Sequence, residues 1–292
     1  MKKIIAISLA VLLMAGLGGC GQQGDPVQSD KGQQPGGQTT SEYIRYSNLS
    51  EETSRAEVAA LLEKDGLSAQ QVELVLTWAR EFCEISQRYA FAEGFTPLPE
   101  GGVDYSNLLM DDTAAAYSYL EWINCRLTAF SLLKGQLTTA RTGVDTDDWL
   151  MFDIEAIDTI PDLQMNQEDR ADFITLFNQV SVEGTTSLKE HEEKIQQAWK
   201  ERELQLSGDA VSLICVYLHA PEYQSRFVGH AGVLAETEEG LLFFEKYNIS
   251  LPFQATYFRD REELKQYLLS RGDLYGDETE LAPIVTENEK IL

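Results

Sequence analysis

The order of hydrophobic patterns along the chain predicts an α+β fold, in which a helical N-terminal half packs on a C-terminal antiparallel sheet. Before Gly208, apolar residues recur mainly at the spacing of amphipathic helices. After Gly208, short apolar runs alternate with turn residues, which is typical of strands joined by hairpins. Helices that precede the strands, rather than alternating with them, indicate the α+β class. Residues 41–292 are predicted to form a single domain with a helical N-terminal part and a β-rich C-terminal part.

The helical half contains six predicted helical regions. The first opens at Ser50 and stops at Gly66, and the second opens at Ser68 with Gln71 three residues later, as in a capping box. The third region leaves two alternatives open, because it is either one continuous helix or a helix that restarts at about Asn124. The predicted regions cover residues 50–64, 68–89, 113–134, 147–157, 167–180 and 187–204.

The C-terminal half contains four predicted strands and one more helix. Its first apolar run is rich in Val, Leu and Ile, which is typical of a buried strand. Residues 237–240 are predicted to form the turn of a hairpin, and the chain is predicted to end in a polar tail. The predicted strands cover residues 210–218, 226–235, 241–247 and 253–258, and the helix covers residues 261–270.

Residues 1–40 are predicted to lie outside this domain. A positively charged start precedes an apolar run, residues 4–17, that is too short to span a bilayer comfortably, as in a signal peptide covering residues 1–19. The run ends in Leu17-Gly18-Gly19-Cys20, which resembles the lipobox of bacterial lipoproteins. The resemblance implies that Cys20 is lipidated and anchors the chain on the extracytoplasmic face of a membrane. An uncleaved membrane anchor with an incidental cysteine is the alternative. Residues 20–40 are mostly polar or glycine and are predicted to form a flexible linker.

The composition excludes several classes of function. The formal net charge is −25, which argues against a nucleic-acid partner because phosphate would be repelled. The sequence contains neither a P-loop nor a GxSxG motif. The acidic run at residues 145–148 lacks the glycine and glutamate that an EF-hand loop needs further along. We therefore expect no cofactor and no metal.

The cysteines divide into two groups. With Cys20 lipidated, three thiols would be left, and they show neither a CxxC motif nor the spacing of metal ligands. Cys83 and Cys215 lie in apolar patterns and are predicted to be reduced core residues.

Cys125 lies in a different context. It follows Asn124, a residue favoured at helix N-caps, and it precedes the positively charged Arg126. A thiol at a helix N-terminus beside positive charge is favoured as the thiolate. If the helix is instead continuous through this point, Cys125 is a small buried core residue.

His230 is the best candidate for a catalytic base. It lies early in a predicted strand, between Gly229 and Gly232, and Glu245 is the one acid within the apolar return strand. A histidine with a carboxylate on the neighbouring strand forms the base and orienting group that an activated nucleophile requires. The alternative is a structural hairpin in which Glu245 and Lys246 leave the core. The other histidines are predicted to be inert or secondary. His191 would lie on a solvated helix face, and His219 would lie in a loop after a strand.

The arrangement of these motifs resembles the papain-like fold in its NlpC/P60 form. There the motifs are roughly Asp-Cys-Ser-Gly and His-Val-Gly-Ile, and here they are Asn124-Cys125-Arg126-Leu127 and His230-Ala231-Gly232-Val233. The resemblance implies Cys125 as nucleophile, His230 as base and Glu245 as orienting group, with Asn124 and Arg126 supporting the substrate or the oxyanion. Two features depart from the family pattern. Arg126-Leu127 replaces small residues after the cysteine, and a long helical insert separates Cys125 from His230.

A second resemblance covers most of the chain after residue 40. Tyr46-Ser47-Asn48-Leu49, Asn124-Cys125-Arg126, Leu132-Leu133-Lys134 and Gly229-His230-Ala231-Gly232 together resemble a lipoprotein family of Gram-positive bacteria, the domain-of-unknown-function family numbered 4300. This resemblance supports a lipoprotein but implies no activity.

These observations predict a cell-surface thiol hydrolase or acyltransferase that acts on a peptide amide, possibly of the cell wall. Its expected partners are the membrane, reached through lipidated Cys20, and a peptide or cell-wall substrate, without nucleic acid. A non-catalytic surface lipoprotein that binds a ligand or a protein on the same scaffold is the alternative. A solute receptor of an ABC transporter would show two alternating βα lobes, which the order of patterns does not match.

Overall fold

A large antiparallel sheet flanked by helices organises the chain, and the predicted α+β class is confirmed. The computed structural model describes residues 43–86, 89–109, 115–208, 210–274 and 279–292. The predicted signal peptide, the predicted lipidation site Cys20 and the predicted linker lie outside these residues. Within the described ranges, no helix combines the length and the apolar character that crossing a membrane requires.

Seven α-helices lie in the described part of the chain, and each corresponds to a predicted helical region. Their ends differ from the predicted ends by a few residues in most cases, whereas the third predicted region is much shortened. The helices are α1 (Glu52–Lys64), α2 (Ala69–Ile85), α3 (Cys125–Leu133), α4 (Met151–Thr159), α5 (Gln167–Phe177), α6 (Leu188–Glu201) and α7 (Arg261–Ser270).

The four predicted strands form the centre of the sheet, and shorter strands extend it. Every described strand pair is antiparallel. The described strands are β1 (Arg45–Ser47), β2 (Thr96–Pro97), β3 (Leu137–Thr138), β4 (Val180–Ser181), β5 (Gln205–Leu206), β6 (Val211–Ala220), β7 (Ser225–Thr237), β8 (Gly240–Lys246), β9 (Phe253–Phe258), β10 (Ile284–Glu287) and β11 (Lys290–Ile291). The main sheet has the order β11-β10-β6-β7-β8-β9-β1-β2, with β4 paired to β7, and β3 pairs with β5 separately.

The predicted polar tail is wrong, because residues Ile284–Glu287 pair with β6 as strand β10. Only Ile284 and Val285 are apolar in this strand, so its local pattern carries little strand signal. The exposed edge of β6 supplies the hydrogen-bonding partners, and this edge exists only in the folded sheet.

The helix that carries Cys125 restarts at that residue. The preceding 3₁₀ segment Ala115–Glu121 ends before Asn124, whose backbone is extended with φ −107° and ψ −176°. The Asn124 side chain accepts a hydrogen bond from the backbone N–H of Leu127, so it caps α3. The capping box predicted at Ser68 does not form, since Ser68 makes no side-chain cap bond and Gln71 instead donates to the carbonyl of Lys134.

The sheet separates two hydrophobic cores, one on each face. The larger core packs α2 and α3 against one face, which carries Val233 and Phe244. The smaller core packs Leu264 and Leu268 of α7 against Phe243 on the other face. Because neighbouring side chains of a strand point to opposite faces, strands β7 and β8 present groups to α3 and to α7 alternately.

Two histidines lie in a cluster that the sequence analysis did not predict. His191 was expected on a solvated face, but it is 1% exposed, and its Nδ1 accepts from Arg226 Nε at 3.0 Å. His191, Ile195 and Trp199 form the buried stripe of α6, a four-residue spacing that the surrounding charges obscured. His219 was expected in a loop but lies in β6, and its ring centroid is 5.0 Å from that of His191.

This cluster predicts a loss of stability in mild acid. Burial and the positive charge of Arg226 lower the pKa of His191 to about 4, whereas the unfolded chain has the ordinary value near 6.5. The unfolded state then binds more protons, so the stability that neutral His191 contributes above pH 6.5 is lost as the pH falls toward 4. Urea unfolding of the wild type and of His191→Gln between pH 7 and 4.5 should show a steeper decline for the wild type. Equal slopes would contradict this assignment.

Candidate active site

The N-terminus of α3 places the Cys125 thiol against strand β7. Cys125 is the first residue of the helix, because Asn124 caps it through Leu127 N–H and also accepts the N–H of Thr128 at its own carbonyl. The partial positive charge of the helix N-terminus favours a thiolate at this position. Of the two alternatives that the sequence left open, the structure shows the helix start. Even so, Cys125 is only 9% exposed.

The sheet is irregular in the part of β7 that lies next to the thiol. The β6–β7 register shifts between Val216 and Tyr217, and Gly229 has no partner in the described ladder, which is the pattern of a β-bulge. On the other side of β7, pairing with β8 begins only at Gly232, opposite Glu245. The β7 backbone just before Gly232 therefore faces α3 instead of β8.

The first residues of α3 take up this unpaired stretch of backbone. Cys125 Sγ lies 3.9 Å from the carbonyl oxygen of Gly229, and the backbone N–H of Ala231 acts to lower the pKa of the thiol. Arg126 Nη1 donates to the carbonyl of Val228 at 2.7 Å. The helix thus replaces strand β8 as the hydrogen-bonding neighbour of β7 at this point.

His230 lies between the thiol and a buried carboxylate. Its ring is 2% exposed, and its Nε2 lies 2.6 Å from Glu245 Oε2. The same ring interacts with Cys125, and this interaction shifts the pKa of both groups. Since Nε2 faces Glu245, Nδ1 is the nitrogen left to the thiol. The structure therefore brings together all three residues predicted as nucleophile, base and orienting group.

Glu245 is held by two further residues from the α7 region. Arg271 Nη1 donates to Glu245 Oε2 at 2.6 Å, and the Tyr267 hydroxyl donates to Oε1 at 2.7 Å. Arg271 also donates to the carbonyl of Tyr247 and forms an ion pair with Asp273. Glu245 is fully buried, so the alternative in which it leaves the core is wrong.

The electrostatics favour a thiolate beside an imidazolium. Burial alone raises the pKa of Cys125, but the charge and hydrogen bond of His230, the charge of Arg126 and the N–H of Ala231 outweigh it and lower that pKa. For His230, burial and Arg271 act to lower the pKa, whereas Cys125 and Glu245 raise it overall. The pKa of Glu245 is lowered, because Arg271 and His230 outweigh the effect of burial.

Lys246 also stays inside the protein, on the opposite face of β8 from Glu245. Its Nζ donates to the carbonyls of Ile249 and Leu251 and lies 3.8 Å from the centroid of the Phe82 ring. Burial lowers the pKa of Lys246 well below its usual value. The prediction that Lys246 leaves the core in a simple hairpin is therefore wrong as well.

Asn124 and Arg126 hold α3 in place. The Asn124 Nδ2 donates to Asp153 Oδ1 at 2.8 Å, and Arg126 forms a two-point ion pair with the same carboxylate. Arg126 Nη2 also donates to the carbonyl of Trp149 at 3.1 Å. Every guanidinium nitrogen of Arg126 thus has a protein partner, so the side chain supports the geometry around Cys125.

The two glycines beside His230 make close contacts with the protein. A Cβ at Gly232 would lie 2.4 Å from the Phe243 ring and 2.7 Å from the carbonyl oxygen of Phe244. A Cβ at Gly229 would lie 2.3 Å from the Leu218 side chain. Strands β6 and β8 therefore approach β7 closely at these glycines, which a side chain would prevent.

The remaining thiols differ from Cys125 in their electrostatics. Cys83, Cys125 and Cys215 are free. Burial raises the pKa of Cys83 to about 12 and also raises the pKa of Cys215. Cys125 is the only one of these three thiols whose pKa is lowered.

Arg271, Tyr267 and a polar chain behind them were not predicted from the sequence. Gln254 Nε2 donates to the Tyr267 hydroxyl at 3.0 Å, and Tyr105 donates to Gln254 Oε1 at 2.9 Å. Gln254 is a polar residue near the start of the largely apolar strand β9 and is fully buried, which was the one available signal. Arg271 follows the end of α7, and nothing in its local sequence connects it with Glu245.

The fold and this site define an α+β protein with a buried Cys–His–Glu arrangement between a helix N-terminus and an antiparallel sheet. Over residues 45–292, the chain matches the family described as Domain of unknown function (DUF4300), and it belongs to that family. No curated protein and no solved structure matches the chain.

Proposed function

We propose that this protein is a thiol hydrolase or acyltransferase with a papain-like core of the NlpC/P60 type, acting on a peptide amide. The observation that supports this most directly is the arrangement of Cys125, His230 and Glu245, in which His230 interacts with the thiol and lies 2.6 Å from the buried Glu245 carboxylate. A nucleophile, a base and an orienting carboxylate in this order are the elements of covalent acyl transfer. The lowered pKa of Cys125 favours the thiolate that would attack the amide.

In the first half of the proposed reaction, Cys125 Sγ attacks the carbonyl carbon of the amide and forms a tetrahedral intermediate. The N–H groups of Leu127 and Thr128 are occupied by Asn124. The N–H groups of Cys125 and Arg126 are then the first-turn donors suited to the oxyanion. His230 protonates the leaving nitrogen, the C–N bond breaks, and an S-acyl enzyme and a free amine result.

In the second half, His230 takes a proton from water or from an acceptor amine. The resulting nucleophile attacks the thioester carbonyl, the C–S bond breaks, and the acyl group leaves as a carboxylic acid or as a new amide. Cys125 returns to its starting state. Throughout the cycle, Glu245 keeps the His230 ring oriented and stabilises its positive charge, while Arg271 and Tyr267 keep Glu245 in position.

We further propose that the protein works outside the cytoplasm as a lipoprotein anchored through Cys20. The support for this is the signal-peptide pattern, the lipobox-like ending and the polar segment that follows. A peptide of the cell wall is the amide that such a tethered enzyme would meet first. The negative net charge speaks against a nucleic-acid substrate.

The proposal predicts that Cys125 is the first thiol to be alkylated. Cys83 is the more exposed thiol, so accessibility alone would favour Cys83. Thiolate character favours Cys125, because the pKa of Cys83 is raised to about 12. Limiting iodoacetamide at pH 7, followed by peptide mapping, should modify Cys125 first, and Cys125→Ser should abolish the fast phase.

Incubation with wall-derived peptides then tests the acyl transfer itself. Wild-type protein should gain the mass of an acyl group on Cys125 or release an amine, whereas Cys125→Ser should do neither. Uniformly slow alkylation of all three thiols, together with peptide binding that leaves the peptide intact, would replace the enzyme by a non-catalytic binding protein.

A further inference from the structure

Several large apolar side chains lie exposed beside the N-terminus of α3. Tyr223 is 57% exposed, Phe152 is 61% exposed and Met151 is similarly open. The Trp149 and Phe227 rings stack with a centroid distance of 3.8 Å, and Tyr223 meets Trp149 edge-on at 5.5 Å. We call the three rings in mutual contact, Trp149, Tyr223 and Phe227, the aromatic patch.

The aromatic patch is connected directly to the catalytic cysteine. Arg126, the residue after Cys125, donates to the carbonyl of Trp149. Phe227 lies on β7 two residues before Gly229, whose carbonyl contacts Cys125 Sγ. Two residues of a strand span about 7 Å, which is also the distance between alternate side chains of an extended peptide. A peptide with its amide at Cys125 would therefore bring a neighbouring side chain to the patch.

We propose that the aromatic patch is the subsite for a hydrophobic or aromatic side chain of the peptide substrate. This inference rests on the proposed function and names its substrate class. Exposed apolar surface of this kind marks a binding site more often than an ordinary surface. Rings that are already stacked on each other lose little freedom when a further apolar group covers them.

The residues around the patch raise the alternative of a cationic ligand. Asp148 and Glu222 are exposed and lie next to Trp149 and Tyr223 in the sequence. Aromatic faces with nearby carboxylates also attract cations. Met151 and Phe152, which follow Trp149 closely in the sequence, are exposed apolar side chains that offer nothing to a charge, and this favours a hydrophobic group over a cationic one.

The test uses the full chain carrying Cys125→Ser, so that binding is measured without cleavage. The probes are three peptides, acetyl-Phe-Gly-amide, acetyl-Gly-Gly-amide and acetyl-Lys-Gly-amide, followed by saturation-transfer NMR titration. We expect the Phe peptide to bind roughly fivefold more tightly than the Gly peptide, from partial burial of its ring. Trp149→Ala and Tyr223→Ala should each remove this preference.

Tyr43→Ala is the matched control, because Tyr43 is a tyrosine of similar exposure. It contacts Arg259, the residue that follows strand β9. This variant should leave the preference intact. Equal binding of the three peptides, a preference for the Lys peptide, or a Phe preference that survives both patch variants would overturn the inference. Because the Cys125→Ser chain is used, these outcomes are separate from an inert thiol, which would instead sink the proposed hydrolase.

Discussion

Replacing His230 by alanine should slow the alkylation of Cys125 at pH 7 by roughly an order of magnitude, because the thiol loses the group that favours its thiolate and an ordinary thiol with a pKa near 8.5 is only ~3% thiolate at that pH. In the wild type, the charge and hydrogen bond of His230 are the largest influences that lower the pKa of Cys125. Without His230, burial dominates and raises the pKa. The rate of iodoacetamide modification from pH 5 to 10, measured by intact mass, should show its midpoint moving upward.

The control for this experiment is His219→Ala. His219 is partly buried, and its Nδ1 accepts from the N–H of Leu281, away from the thiol. Its removal should leave the pH profile of Cys125 alkylation unchanged. His230→Gln guards against a general loss of structure, since glutamine keeps a polar side chain toward Glu245 but cannot form an imidazolium. An unchanged pH profile in both His230 variants would show that the thiol does not depend on this base.

Glu245→Ala should be the most destabilising single substitution at the site, with a loss of about 3–5 kcal/mol in the free energy of unfolding. The loss does not measure how favourable the ion pair is. It arises because the Arg271 guanidinium and the Tyr267 hydroxyl stay buried without their acceptor. Urea denaturation at pH 7 measures the difference.

Glu239→Ala is the matched surface control, because Glu239 forms an exposed ion pair with Arg45 and should cost less than about 1 kcal/mol. The double variant Glu245→Leu/Arg271→Leu should be more stable than the sum of the single losses predicts, by roughly 0.5–3 kcal/mol. Additive losses, or a Glu245→Ala effect as small as that of Glu239→Ala, would mean that the buried network contributes little.

The two predictions together separate the roles of His230 and Glu245. His230 acts mainly on the charge state of the thiol, so its loss should appear in reactivity. Glu245 acts on the reactivity of the thiol and on the stability of the fold, because it orients His230 and also neutralises Arg271. Glu245→Gln keeps an oxygen acceptor but loses the charge, so we expect a smaller loss of stability together with slower Cys125 alkylation.

Local patterns were sufficient for the central elements of the fold. Helix α7 was predicted at its observed ends, and the strands β6 to β9 were predicted within a few residues. These elements carry their signal in the spacing of their own apolar residues. Strands β1 and β10, which lie one place in from the two edges of the sheet, were missed, since such short strands depend on their partner strands more than on their own side chains.

The candidate residues Cys125, His230 and Glu245 could be predicted because each is a rare residue type in an unusual context. The contexts are a cysteine after a good N-cap, a histidine beside glycines and an acid in an apolar strand. The distance between Cys125 and His230 in the chain could not predict their contact. That contact depends on the residue at which the pairing between β7 and β8 begins, and the whole sheet determines this position.

Local sequence was thus enough to predict the fold class, the central strands and helices and the three candidate residues, because each depends on a local pattern or on a polar residue in apolar surroundings. Three features became visible only in the folded chain: the start of α3 at Cys125, the position of the thiol beside the unpaired stretch of β7, and the contacts of Arg271 and Tyr267 with Glu245. They could not be predicted because charges and hydrogen bonds act through space. Arg271 lies 26 residues from Glu245 along the chain and 2.6 Å from it in the fold.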